Sequence, residues 1–453
     1  MKISRIIQQP QNIFLTICLV FGFLLVFINP PFQTPDEAQH LFKMYGYTNG
    51  TLNFKVYKNI TGNELPLSLI KISKMENIGG HLEKKTSAKE VLPLLKIKLE
   101  KDKTAFYTFT PTSYTPVSYF PSFLILWAMK LLNFPPLIML YMLRLCSLFL
   151  YTALGYTAIK TMPAKKWLML LLALTPMTVY EAASITTDAI CMGIAFLFIA
   201  YTCKLAMDDN IKKITKKELA IFGSLGTLLL ICKYAYFPIL LLFFIIPKQK
   251  FNSQTKRYLF FSGLTALNII ITAAFIFHTI QISKGVISGA PGYEKSFMIA
   301  FIFNKFSWFM DFVIKTIQTK WLDYLYSYIG LLGSNDTKLP LFVLNYCIIL
   351  ILSAALIKTD REEKSFDLKS KIIFFIIFLA SFFIILTSSF ILFQCYPIIC
   401  GVQGRYFIPV MPFLFFILDN KKIVWNKLPA IIVCGWILII PFVLHSLINR
   451  FYI

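Results

Sequence analysis

The chain has 453 residues, of which 57% are hydrophobic and only 15% charged, with 45 Phe and a formal net charge of +23. A soluble domain could not hide so much Phe, Ile and Leu, and the continuous apolar runs exclude a transmembrane β-barrel, whose strands alternate. The Lys and Arg are spread over many short loops and not gathered on one face, which excludes nucleic acid as a partner. The charge reads instead as membrane topology and attraction to anionic headgroups.

The expected fold is an all-α polytopic integral membrane protein. Lys2 and Arg5 precede a first apolar run at 13–29, which puts the N-terminus in the cytoplasm and the following acidic stretch outside. That run lacks a small-residue cleavage site and meets Pro30-Pro31, so it stays as a helix. Residues 31–136 form a first extracytoplasmic loop with surface helices. Within it, 115–132 lies on the outer surface or re-enters, because only then do all the short basic loops fall inside. Spans follow at 137–159, 167–183, 188–203, 219–232, 236–246 and 258–280. A second extracytoplasmic region, 281–340, is rich in aromatics, with Trp308 and Trp321 as interface anchors. Spans at 341–357, 372–393, 406–418 and 428–447 complete a single membrane domain, 1–453. The bundle then has about 11 transmembrane helices, with amphipathic helices in its two outer loops. Most cysteines are isolated in apolar runs; Cys395 and Cys400 share a short outer loop, and the sequence leaves open whether they form a disulfide. No internal repeat of the kind found in two-halved transporters is visible.

Two acids stand where the chain leaves the first span: Asp36 and Glu37, in the stretch PPFQTPDEAQHLFKMYGY. Charge there is expensive unless it serves a site. Arg144, Glu181, Asp188, Lys233, His278, Arg405 and His445 all fall in the outer third of their spans, while the inner halves hold almost no charge. Such a one-sided distribution points to a cavity open to the outside beside Asp36, and not to a path through the midplane of the kind transporters and channels need.

Each residue has a plainer reading. Thr34-Pro35-Asp36-Glu37 fits a capping box with Pro at the first helical position, which accounts for Thr34 and Glu37 better than for Asp36. Asp36, His40 and Lys43 share one face at helical spacing. Asp188, after Thr186-Thr187, is equally a helix cap. Lys233 reads as snorkelling to the outer headgroups, Arg144 and Glu181 as an interhelical pair, and His278 and His445 as satisfied helix-end histidines. Glu37 and His40 are compatible with a divalent cation, but two ligands are too few to assign one, and no cofactor is required. Arg405, in GVQGRYF, differs: two glycines permit close backbone approach, and the guanidinium can fork onto a phosphate.

PPFQTPDEAQHLFKMY after the first run, LTPMTVYEAASITTDAI around Asp188, GLLGSNDTKLP before 341 and GVQGRYFIPVMP near the end together resemble a bacterial integral-membrane family of unknown function grouped with the GT-C glycosyltransferases. The resemblance covers nearly the whole chain. It implies an enzyme that takes a sugar from a polyprenyl-phosphate carrier at the outer face and gives it to a cell-envelope glycan or lipid acceptor. Asp36 then matches the catalytic acid, with Glu37 beside it. Thr187-Asp188 resembles a second acidic tip; Gln403, Arg405 and Tyr406 match the late motif, and Lys233-Tyr234 matches more loosely. On that reading Arg405, with Lys233, Tyr406 and Gln403, binds the donor phosphate, and His40, Asp188, Thr187, Arg144 and Glu181 support the site. The expected chemistry is a single inverting displacement with Asp36 as base. A lipid-linked glycan polymerase or ligase, a transporter, and a non-catalytic membrane partner are the alternative classes.

Overall fold

In the computed structural model, residues 9–51, 54–57, 60–109, 115–282, 295–393 and 395–453 are described. Lys2 and Arg5, on which the orientation of the N-terminus rests, lie outside them, as do residues 283–294 of the expected second loop.

The first half of the chain runs α1 (Pro10–Ile28), α2 (Glu37–Thr48), β1 (Lys55–Tyr57), β2 (Ile60–Pro66), α3 (Leu67–Ser73), α4 (Ala88–Val91), β3 (Thr104–Thr108), α5 (Ser122–Leu131), α6 (Pro136–Thr161), α7 (Lys166–Ala173), α8 (Pro176–Ala182) and α9 (Asp188–Met207). The second half continues with α10 (Lys216–Cys232), α11 (Gln254–Ile282), α12 (Lys295–Asn304), α13 (Phe306–Gly330), β4 (Leu331–Leu332), β5 (Thr337–Lys338), α14 (Leu341–Leu356), α15 (Leu368–Leu392), α16 (Met411–Phe416) and α17 (Leu428–Phe451).

Six of these helices, α1, α6, α9, α11, α15 and α17, are long and apolar enough to cross a membrane. Local chemistry sets their ends. Pro stands in the first turn of α1, α6 and α17, where its missing N–H costs nothing. Pro30 and Pro31 stop α1, and Thr215 with Glu218 closes a capping box on α10. The centre is α9, packed between α6 and α10 with 72% of its apolar stretch buried; α11, at 11%, faces outward.

The other five expected spans are shorter or broken. Segment 167–183 divides at Thr175 before Pro176 into α7 and α8, both buried apart from Lys166 at the start of α7. Segment 236–246 lies in a 3₁₀ helix, Tyr234–Ile245, with Pro238 inside it, and 406–418 divides between a 3₁₀ turn at Gly404–Phe407 and the six-residue α16. Helices α10 and α14 have 17 and 16 residues. Segment 115–132 contains a 3₁₀ turn at Pro116–Tyr119 and the ten-residue α5, about 15 Å long and half a hydrocarbon core.

The chain is largely helical with almost no sheet, as expected of an all-α membrane protein, and the loop between α1 and α6 is a local departure. It carries a three-stranded antiparallel sheet, ordered β1-β2-β3, with Leu65 opposite Ala105. Phe42, Leu65 and Leu69 bury themselves there against Leu126 of α5 and Met139, Leu140 and Leu143 of α6, so the loop is a packed layer. It is also fastened to the far end of the chain. Arg450 of α17 donates to the carbonyls of Ile78, His81 and Lys84 and lies 2.5 Å from Asp336 in the β4–β5 turn. Cys395 and Cys400 form the disulfide, with Cα atoms 5.8 Å apart.

Candidate functional site

Helix α2 begins at Glu37, and Asp36 precedes it in the left-handed backbone region, φ 63° and ψ 7°. That conformation is one Asp tolerates better than most residues, and surrounding contacts must hold it. The capping box expected from Thr34 and Glu37 does not form. Thr34 Oγ1 accepts from Asn29, and Glu37 turns fully inward. Its two oxygens lie 2.7 and 2.6 Å from Arg144 Nε and Nη2 and also accept from the Phe32 and Ile185 amides. Arg144 therefore pairs with Glu37 and not with Glu181, and its remaining donors reach the carbonyls of Val26, Asn29 and Pro30. This buried clasp ties the end of α1, the head of α2 and the approach to α9 to α6. Each Glu37 oxygen accepts two hydrogen bonds within this clasp, one from Arg144 and one from a backbone amide.

Asp36 is different. Its side chain is 48% exposed, and one oxygen accepts from Arg405 Nη2 at 3.1 Å. Arg405 is buried, and its Nη1 lies 2.9 Å from the fully buried Glu181. The guanidinium fork expected to meet a phosphate is thus occupied by two carboxylates. Beside it, Asp188 at the start of α9 lies 3.0 Å from Lys233, which does not snorkel to the surface; its side chain is 17% exposed. The ammonium lies 4.4 Å from the centre of the Tyr406 ring, a cation–π distance, and Tyr406 also faces Arg405. Tyr236 fixes this corner by donating to the Tyr406 carbonyl. Thr187 makes no side-chain cap, and Thr187 Oγ1, Gln403 Oε1, Glu181 Oε2 and Arg405 Nε are buried without a hydrogen-bond partner.

Arg405 reaches the cluster because Gly404 lies against α13. Its amide donates to Ser327 Oγ at 3.0 Å, and a Cβ there would collide with the Tyr328 amide nitrogen. Backbone cannot give way as a flexible side chain can. Gly404→Ala is expected to cost about 1–3 kcal/mol and to pull Arg405 off Asp36. A melting temperature equal to wild type would contradict this.

His40 and Lys43 follow on α2, both buried. His40 Nδ1 lies 2.7 Å from the Tyr119 hydroxyl, a partner with no signal in the sequence. Burial lowers the His40 pKa from 6.5 to about 4, against the opposing pull of Asp36 and Asp188, and burial lowers Lys43 to about 7. Because its folded pKa is depressed, His40 takes up its proton only on unfolding between those two values. Stability is therefore expected to fall from about pH 6.5 to about pH 4, and His40→Gln to flatten that part of the melting curve against pH. Parallel slopes in both proteins would be the contrary result. Glu76, which the sequence did not single out, is pushed upward by burial and then by the charges of Asp36 and Glu37. His278 and His445 are exposed on α11 and α17 and do not join the cluster.

Chemically, the cluster sets Asp36, Glu181 and Asp188 against Arg405 and Lys233, with Asp36 its most accessible acid. Among the described residues no group of three His, Cys, Asp or Glu side chains is arranged to hold a metal.

Residues 19–414 match the family described as predicted membrane protein (DUF2142). The chain belongs to this family. The matched region of the DUF2142 protein includes Asp36, Glu181, Asp188, Lys233 and Arg405, and leaves out Arg450. No curated protein and no solved structure matches the chain.

Proposed function

We propose that this DUF2142 protein is a GT-C type membrane glycosyltransferase, moving a sugar from a polyprenyl-phosphate carrier to a cell-envelope glycan or lipid acceptor at the extracytoplasmic face. The observation that carries this reading is Asp36: a half-exposed carboxylate, held in a left-handed turn and oriented by a buried arginine that Glu181 fixes from behind. A general base needs that combination of access and fixed direction. The resemblance of its motifs, in order, to a membrane family grouped with the GT-C enzymes supports the same assignment.

In the reaction, Asp36 takes the proton of an acceptor hydroxyl as that oxygen attacks the anomeric carbon. The bond from that carbon to the phosphate oxygen breaks on the opposite face, so configuration inverts and polyprenyl phosphate leaves with the electron pair. Lys233, the more exposed of the two cations and backed by the Tyr406 ring, meets the developing phosphate charge. Arg405 acts chiefly by positioning Asp36. The short and broken segments complete the bundle around the site, and the Phe-rich helices accommodate the isoprenoid.

The test is transfer from a labelled polyprenyl-phosphate sugar by the reconstituted protein and by Asp36→Asn. Comparison of envelope glycans with and without the gene identifies donor and acceptor together. Wild-type transfer by a folded Asp36→Asn protein would overturn the proposal.

A further inference from the structure

A second charged cluster, around an open cavity, lies at the other end of α9. Its 20 residues rise about 30 Å, so Met207 stands about one hydrocarbon thickness from Asp188. There, loops from three parts of the chain border an open recess of about 380 Å³ lined by Met207, Asp209, Lys358, Lys364, Ser365 and Lys421.

The cavity is built and positively biased. Lys358 N donates to the Ile423 carbonyl at 2.9 Å, and Trp425 N donates to the Lys358 carbonyl at 2.8 Å, which locks two of the loops together. Lys364 Nζ is held 2.5 Å from the Met207 carbonyl and 2.7 Å from Asp209, whose side chain is 90% exposed. Neighbouring acids are engaged elsewhere: Glu363 accepts from the Lys165 and Thr359 amides, and buried Asp419 accepts from the Phe366 amide and pairs with Lys165. Three lysines therefore face one exposed aspartate. Ser365 Oγ is buried without a hydrogen-bond partner. Ile423, Val424 and Trp425 stand exposed alongside, an apolar and aromatic edge suited to the membrane interface.

We infer that this cavity binds the phosphate of an anionic phospholipid headgroup. The phosphodiester oxygens accept from Lys364, Lys421 and the Ser365 hydroxyl, Asp209 is displaced into water, and the acyl chains lie along the edge at Trp425. Headgroup phosphates occupy this level of a bilayer, and a basic recess between helices is the arrangement that holds them. The site is independent of the chemistry at Asp36.

The experiment uses the full chain in neutral detergent with three probes: short-chain phosphatidylglycerol, short-chain phosphatidylcholine and inorganic phosphate. Phosphatidylglycerol is expected to raise the melting temperature saturably, and phosphatidylcholine to leave it unchanged. Lys364→Gln with Lys421→Gln is expected to weaken phosphatidylglycerol binding about tenfold or more, the loss of at least one charge-assisted hydrogen bond. If the double variant is unstable, Lys421→Gln alone, at an exposed position, is expected to weaken binding about threefold. An equal response to inorganic phosphate assigns the site to a soluble phosphate source and overturns the lipid assignment. Equal shifts with both lipids, no shift with any probe, or unchanged binding in the lysine variants would overturn the inference.

Discussion

Arg144→Met is expected to destabilise the protein severely, more than any single change among the other charged residues of the cluster. Arg144 and Glu37 are both fully buried, and the guanidinium makes five hydrogen bonds, two to the carboxylate and three to the carbonyls of Val26, Asn29 and Pro30. Removing the cation leaves a charged carboxylate in a dry interior and frees three carbonyls that water cannot reach. Breaking one partner of a buried pair costs about 3–5 kcal/mol, a large share of the roughly 5–15 kcal/mol that typically holds a fold together. The double variant Glu37→Gln/Arg144→Met removes the stranded charge and is expected to recover much of the loss. The measurement is thermal unfolding in detergent for the two single variants and the double. A melting temperature for Arg144→Met close to wild type would show that the clasp is not holding the loop.

Asp36→Asn, one residue away from Glu37, is expected to do the opposite. Asn keeps the shape of the side chain, tolerates the left-handed backbone and sits half in water, so melting should be nearly unchanged. As the proposed base it should lower transfer by about 10²–10⁴-fold. Adjacent acids would then separate cleanly, with Glu37→Gln read as a loss of stability and Asp36→Asn as a loss of rate. A transfer defect that tracks the melting temperature in both variants would remove Asp36 from the chemistry.

The membrane class was legible in the sequence, and so was the oddly placed charge at Asp36, because composition and misplaced charge are local signals. Partner choice was not. Arg144 lies 107 residues from Glu37 and Arg405 lies 369 from Asp36, so several pairings of buried cations and acids were equally open on spacing alone. The pattern Thr-Pro-Asp-Glu reads as a cap wherever a helix starts at its proline, and in this chain the helix starts two residues later. Eleven spans were expected because hydropathy responds to composition and not to continuity; the break before Pro176 and the 3₁₀ winding around Pro238 leave apolar content unchanged while interrupting the α-helix. The small sheet escaped because β2, reading ITGNELP, contains Gly62, Asn63 and Pro66, residues that strands seldom use.

The bolt at Arg450 has a consequence for how the protein is made. Arg450 meets the Ile78 carbonyl across 372 residues of chain. At typical rates of translation, about 5–20 residues per second, that separation corresponds to roughly 20–70 s. Throughout that interval the loop has the carbonyls of Ile78, His81 and Lys84 but not the guanidinium that gathers them, and for most of it Asp36 has no Arg405. The layer carrying Asp36 therefore reaches its final form only after α17 has been inserted, and a ribosome halted before that helix leaves an embedded but unfinished protein.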